Sequence, residues 1–476
     1  MCFTRIQAEK LYDTNRDATV TKLIELDSEN EKLKLQVAKL SKNSSNSSKP
    51  PSSDVVKPDR AKRRRDKKKR KKGGQLGHTK HERELFLEDE IDIRIDYRLT
   101  VCPECHSNEL VFLPDEKPRI QQQVEIKENP IEITQHTAFA YWCPKCEKIH
   151  YESFPQNVVK EGLFKQRLSC LVSYLKYKCN VSYSNIKMFL ADVFGSPLDV
   201  TEGYLAKIIQ KCARALDSPY HQLLEYLPHE EIVNVDESGH KENGDKYWSW
   251  VFRTELYALF KIDKSRGSDV LIEVLGKEFN GVIGCDYFSA YRKYMRVFNV
   301  TLQFCLAHLI RDLKFLAGLK DPETMRYGKK LLSCFKELFR IIHNREKMSK
   351  KKFIVSLEKQ KRKIIRIAKY KVPQSNEAQN MARRFRTHGK AFFEFITTPE
   401  IEPTNNIAER AIRFIVIYRR VSQGTRSVNG RFACERFWTV IATCAIQGRS
   451  AFDFLNKALY AFFNNQSPPS LILNSS

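Results

Sequence analysis

Three carboxylates are the residues in this chain best suited by type and spacing to do chemistry. Asp236 closes the apolar run 232–235 and is followed by Glu237-Ser238-Gly239, and Asp286 closes the run 282–285 in the same manner. A carboxylate at the C-terminal end of each of two strands puts both at one edge of a sheet, where they can share cations. Glu409 falls in the first turns of a helix reached through Pro403-Thr404-Asn405-Asn406. Three hard oxygen donors suit Mg²⁺ or Mn²⁺. Two such ions about 3.5–4 Å apart clamp the attacking and leaving oxygens of an in-line phosphoryl displacement. Each acid taken singly also reads as a helix cap or turn residue. Asp263 ends a further strand-like run and competes, although Lys264 and Arg266 give it the surroundings of a loop.

Two other clusters carry chemistry. Cys305, His308 and Arg311 stand three apart and share one face of a helix. Two further ligands are missing nearby, so zinc is not expected there. His308 is either an ordinary packed histidine or, with Arg311, a contact to a scissile phosphate beside the acids. The pairs Cys102-Pro-Glu-Cys105 and Cys143-Pro-Lys-Cys146 are the metal signal of the chain. Four thiolates close a tetrahedral structural Zn²⁺ site and leave no open position for catalysis. The gap between the pairs is long, and His106 and Glu147 stand where Gly would ease a left-handed turn. A metal-free pair of loops is the alternative.

These residues need elements to hold them. At about 100–200 residues per domain, 476 residues imply roughly three modules. Hydrophobic residues make up 42%, with 29 Phe and 19 Tyr, which excludes a globally disordered protein. Charge is lopsided, with 82 Lys+Arg against 57 Asp+Glu and +25 at pH 7. Residues 60–72 hold eleven cations and Asp66, so +15 still lies elsewhere. A polyanionic partner is expected, with nucleic acid first. The basic run contains no aromatic residue and would add phosphate affinity without base choice. The opening MCFTRIQAEKLYDTNRD has no apolar h-region. The longest apolar stretch, 437–446, is interrupted by Thr439 and Thr443 and is too short to span a bilayer. A soluble cytoplasmic protein with reduced cysteines is the expectation.

Six segments follow. Residues 1–41 are helical and zipper-like, with Leu23, Asn30 and Val37 at heptad position a and Leu26, Leu33 and Leu40 at d. An amphipathic surface helix is the alternative. Residues 42–84 read as a disordered Ser/Pro-rich linker and basic arm. A zinc-binding β region is expected over 85–155, from strand-like pieces interleaved with the cysteine pairs. Residues 156–230 read as a helical connecting or DNA-binding region. From 231 to 450 short strands and helices alternate as in a mixed α/β sheet, with a Lys/Arg-rich helical insertion over about 320–395. Residues 451–476 form a tail.

In order along the chain, NSSKPPSSD (from Asn46), GGQLGH (from Gly73), the two Cys pairs, VNVDESG, GCDYFSAY, CLAHLIRDL and PTNNIAERAIR resemble the insertion sequence 66 family of DDE transposases. The resemblance runs from about residue 20 to 450. Departures are small: Ser238 replaces a usual Thr, Leu76 a usual Pro and Tyr287 a usual Gly. It implies a ribonuclease-H-like, retroviral-integrase-type core with a helical insertion before the last acid. It carries the catalytic triad to Asp236, Asp286 and Glu409, with Mg²⁺ or Mn²⁺ as cofactor. It further implies double-stranded DNA ends and target as partners, and action at the nucleoid. A homodimer or higher oligomer on DNA and accessory element-encoded proteins complete the expectation. Alternatives are a nuclease or resolvase of the same fold that cuts without joining, and a zinc-containing DNA-binding regulator with an inactive core.

Overall fold

A computed structural model describes residues 9–10, 12–13, 16–40, 85–115, 119–126, 130–155, 157–158, 162–195, 198–398 and 400–473. The expected linker and basic arm, 42–84, lie outside the described residues. The chain divides into two compact units, one of residues 59–135 and one of 1–58 with 136–476.

The smaller unit contains a short 3-10 turn at Glu88–Glu90 and no strand among its described residues. Its expected strands are therefore corrected. Ile93, Ile95, Tyr97, Val124 and Ile126 alternate as strand residues do, yet all are exposed. Alternation yields a strand only where one face has a core to cover.

In the larger unit α1 (Arg16–Leu40) is a helix over the predicted heptads, with Leu23, Leu26, Leu33 and Val37 exposed. The hairpin β1 (Ala140–Cys143) and β2 (Lys148–Tyr151) is the strand content of the expected zinc region among the described residues. Four helices follow: α2 (Gln166–Tyr177), α3 (Tyr183–Phe194), α4 (Glu202–Ala215) and α5 (Asp217–Tyr226). Ser182 and Thr201 cap α3 and α4 through their side chains.

The sheet that carries the acids comprises β3 (Ile232–Glu242), β4 (Asp245–Arg253), β5 (Ala258–Asp263), β6 (Val282–Cys285) and β7 (Thr301–Phe304), in the order β5-β4-β3-β6-β7. The first three form an antiparallel meander, and β6 and β7 run parallel to β3. The helix α6 (Ser268–Leu275) crosses from β5 to β6, and α7 (Ser289–Phe298) from β6 to β7. After β7 come α8 (Leu306–Ala317) and the insertion helices α9 (Pro322–His343), α10 (Lys350–Lys369) and α11 (Asn376–His388). Gly328 lets α9 approach α8 closely, because a Cβ there would lie 2.6 Å from the Ala317 backbone nitrogen.

The chain returns to the sheet in α12 (Asn406–Ser422) and α13 (Val428–Ile446). The expected tail begins with a helix, α14 (Ala451–Phe463), which buries Phe454, Leu455, Leu459 and Phe463 and packs on α2 and α4. Tyr177 of α2 stacks on Phe437 at 4.4 Å and on Tyr418 at 5.7 Å, which ties the helical region to the sheet. The described cysteines are free thiols. Among the described residues no helix is long and apolar enough to cross a membrane.

Helix α13 seals the open edge of the sheet. β5 is an edge strand, and its N–H groups at Ala258, Phe260 and Ile262 donate to Thr443 Oγ1, Thr439 Oγ1 and Glu435 Oε1 at 3.2, 3.0 and 2.7 Å. Four helical residues rise about 6.0 Å and two strand residues about 6.6 Å, so polar groups at i, i+4 and i+8 meet alternate strand amides. The edge is thereby closed to other strands.

Burial pushes the Glu435 carboxyl up to about 7, against the opposing pull of the Ile262 amide. The folded state thus binds a proton that the unfolded state loses near 4.5. Stability from this group is fully present below about pH 4.5 and is lost as pH rises through about 7, a change on the order of 3 kcal/mol. Glu435→Gln keeps the acceptor and removes the ionisation. Denaturant melts from pH 5 to 8 should show a flatter profile in the variant and greater stability than wild type at pH 8. Parallel profiles would reject the assignment.

Candidate functional site

Pairing between β3 and β6 brings the first two acids side by side. Ile232, Val233 and Asn234 pair with Val282, Ile283 and Gly284, a constant offset of fifty residues. Asp236 and Asp286 each follow the last of these pairs by two residues, and the Asp286 charge is among those that raise the Asp236 carboxyl. One expectation is corrected here. Asp236 does not end its strand, because β3 continues to Glu242 through its pairing with β4. It is β6 that stops, at Cys285, so both acids lie where the parallel pairing ends.

Glu409 comes in from α12, and two buried asparagines fix that approach. The Asn405 amide donates to the Val235 carbonyl at 2.7 Å and accepts from Asn234 Nδ2 at 2.9 Å. Its backbone N–H points at Cys305 Sγ, 3.2 Å away. Gly284 makes room for this bridge, since a Cβ there would meet Asn234 Nδ2 at 2.2 Å.

Electrostatics agree with the crowding. The Asp236 carboxyl is held well above its usual range by burial and then by the charges of Glu237, Asp286 and Glu409. Asp286 is pushed up to about 7 by burial and by Glu237, while the Phe288 N–H at 2.8 Å and Arg266 pull it down. Glu237, a fourth acid at the centre, is already committed. One oxygen accepts from Arg266 at 2.8 and 3.0 Å, and the other from the Tyr291 hydroxyl at 2.5 Å. Arg266 also lies over the Phe288 and Trp248 rings, at 4.0 and 4.3 Å. Asp263 is on the edge strand β5, where its Oδ1 accepts from Ser265 N–H at 2.7 Å, a turn role.

The predicted helical face of Cys305, His308 and Arg311 meets Glu409. Arg311 Nη2 and His308 Nδ1 lie 3.5 and 3.6 Å from Glu409 Oε1, and Cys305, His308 and Glu409 place a ligand atom each within 4.8 Å of one another. Burial and the Arg311 charge bring His308 down to about 3, so the imidazole is neutral at pH 7 and its contact with Glu409 is not an ion pair. Burial raises Cys305 to about 11. As a thiol it serves Asn405 and gives a hard cation no charge. Asp236, Asp286 and Glu409 could offer hard oxygen donors to a divalent cation, whose charge would offset the burial and the neighbouring acids that lift the two aspartates.

The cysteine pairs belong to the two separate units. Each forms a tight turn of the same design. His106 N–H donates to Cys102 O and Glu147 N–H to Cys143 O, both at 2.9 Å. His106 and Glu147 adopt φ of 60° and 53°, so both take the left-handed conformation without glycine. Backbone N–H groups aimed at Cys102 and Cys143, led by those of Cys105 and Cys146, lower both thiols. The donor chemistry of each turn fits a thiolate-bound metal.

Sequence reasoning missed Asn234, Asn405, Arg266 and Tyr291. The Asn405-Asn406 pair before the helix was a usable signal, because a buried amide at the entry to the helix that carries Glu409 needs partners.

Comparison with known proteins gives three findings. A family model described as "Transposase IS66 family" matches residues 161–432. A second, a family of unknown function (DUF6444), matches residues 6–84. An uncharacterized protein, y4qI of Sinorhizobium fredii, is 23% identical over 341 residues, which cover 64% of this chain and 61% of the relative. The match thus spans about three fifths of that relative's length.

Proposed function

The chain belongs to the transposase IS66 family, whose match covers more than half of it, and we propose that it moves an insertion sequence. It binds the terminal inverted repeats of its element, cuts DNA and joins the freed 3′-OH to target DNA. The convergence of Asp236, Asp286 and Glu409 from β3, the end of β6 and α12 carries this reading. A three-strand meander extended by two parallel strands, with helices inserted before the last acid, supports a ribonuclease-H-like core.

Bound at the three carboxylates, Mg²⁺ or Mn²⁺ would supply Lewis-acid polarisation of the phosphate and an activated attacking oxygen. Asp236 and Asp286 would hold the cations, and Glu409 would complete the set. Glu237 orients Arg266 toward Asp286. Arg311 and the neutral His308 reach the scissile phosphate from the Glu409 side, Arg311 as a cationic donor. No side chain is required as a nucleophile, because water and then a DNA 3′-OH attack phosphorus. The protein acts in the cytoplasm at the nucleoid. Helix α1 pairs with a second copy as a coiled coil, and accessory proteins of the element can join the complex. The full chain incubated with element ends, Mg²⁺ and a target plasmid should yield joints that sequencing places at the terminal repeats. Cleavage without joints would favour a nuclease, and no product at all would reject the proposal.

Zinc at Cys102, Cys105, Cys143 and Cys146 belongs to the same proposal, in a structural role. Metal analysis should find Zn²⁺ in the purified protein, and Cys143→Ser should lower its content and loosen the 140–151 hairpin. Zinc-free wild-type protein would reject the site.

A further inference from the structure

A cavity of about 950 Å³ opens beside Asp286, walled by α7, α11 and the 266–269 loop. Its lining is strongly cationic. Arg266 and Arg384 are neutralised by Glu237 and Asp312, at 2.8 and 2.6 Å. Arg292, Lys293, Arg296 and Arg383 have no carboxylate partner among the described residues, and Asp269 is the acid among the described lining residues. Arg292 rests on the Tyr287 ring at 4.6 Å and Arg384 at 4.8 Å, and the buried Arg292 Nε has no hydrogen-bond partner. Arg292, held on an aromatic platform without a counter-charge, and the unpaired cations beside it call for an anion from outside.

We infer that this cavity receives a short unpaired stretch of the DNA strand that continues from the bond at the carboxylates, its phosphates lying between Arg292 and Arg296 on one wall and Arg383 on the other. The inference rests on the transposase reading for the identity of the polyanion. Size then selects the form of the DNA. Pockets of about 300–1,000 Å³ hold one drug-sized ligand, so 950 Å³ takes very few nucleotides. A duplex does not fit, since its major groove alone is about 12 Å wide. A basic channel with aromatic side chains is the device by which single strands are held. The element end would accordingly be opened near the cut, with the strand led past Tyr287.

The test is binding by the full chain in EDTA, so that no strand is cut. Fluorescent single-stranded and blunt duplex oligonucleotides of one sequence are titrated at several salt concentrations. Arg296→Ala/Arg383→Ala removes one exposed cation from each wall, and Arg292→Ala is a second variant. Expected is a weakening of about tenfold or more for the single strand. Its log–log salt slope should fall by about 1.4, at about 0.7 per phosphate released. Duplex binding, supported by the basic run 60–72, should change little. Unchanged single-strand affinity and slope would overturn the inference. So would an equal loss for both DNA forms, which marks a general basic surface, or displacement of the strand by polyglutamate with the same arginine dependence. The two readings fail separately. A blank joining assay with arginine-dependent strand binding sinks only the transposase proposal, and robust joining with unaltered strand binding sinks only the cavity.

Discussion

Asp236→Asn and Glu409→Gln should abolish cleavage and joining while DNA binding persists. Metal-assisted stabilisation of a phosphoryl transition state is worth several kcal/mol, and each 1.36 kcal/mol is tenfold in rate, so a fall of about 10³-fold or more is expected. Stability should move the opposite way. Asp236 and Asp286 are lifted above the usual carboxylate range, so their ionised forms oppose folding at neutral pH. With a raised folded value, Asp286 contributes stability below about pH 3.8 that is lost as pH rises through about 7. Asp286→Asn should therefore melt higher than wild type at pH 8 in EDTA and equally at pH 4. Mg²⁺ should stabilise wild type and not the variant. Were these acids only caps or turn residues, replacing them would cost about 0.5–2 kcal/mol and leave chemistry intact. Asp263→Asn, at the last residue of β5, should keep full activity. Near wild-type joining by Asp236→Asn would end the catalytic assignment.

Local signals were legible and long-range ones were not. Two apolar runs that end in Asp, a helix entered through Asn405-Asn406 and the three-residue spacing of Cys305, His308 and Arg311 are written in single segments; Cys305 and His308 come within 4.8 Å of Glu409, and Asp236 feels the charges of Asp286 and Glu409. The extension of β3 past Asp236 depends on β4, whose pairing continues to Glu242, and an apolar run cannot reveal a partner. The alternating residues 91–97 failed as a strand for the converse reason, since alternation is present and no core covers it. Thr439 and Thr443 interrupt the apolar stretch of α13 and Glu435 precedes it, and their fourfold spacing is the mark of a helix that caps a strand edge. That spacing was visible, whereas the strand it serves lies more than 170 residues away. The Asn234–Asn405 pair spans 171 residues and has no local signature.

That pair supports the second large effect. Asn405 is 1% exposed, and its side chain is the bond to the β3 backbone nearest Glu409, while Arg419 holds the far end of the same helix to the Gly239 carbonyl. Asn405→Ala leaves the Val235 carbonyl and the Asn234 amide buried without partners, at about 1–3 kcal/mol for each group. A loss of about 2–5 kcal/mol is expected in denaturant melts. Activity should fall further than folding alone explains. Displacing a catalytic group by about 1 Å costs about 10²-fold, and α12 loses its tether one turn before Glu409. Comparing variants separates the two effects. Asn405→Asp keeps the acceptor for Asn234 but loses the donor to Val235 and adds a charge beside Asp236, so it should be at least as inactive. Gly284→Ala leaves Asn405 in place and pushes Asn234 aside, so it should reproduce part of the activity loss. The measurement is joining rate per folded molecule at a temperature where each variant is fully folded. If Asn405→Ala joined DNA at the wild-type rate under that condition, Glu409 would be positioned by packing alone, and the asparagine bridge would be only a structural bond.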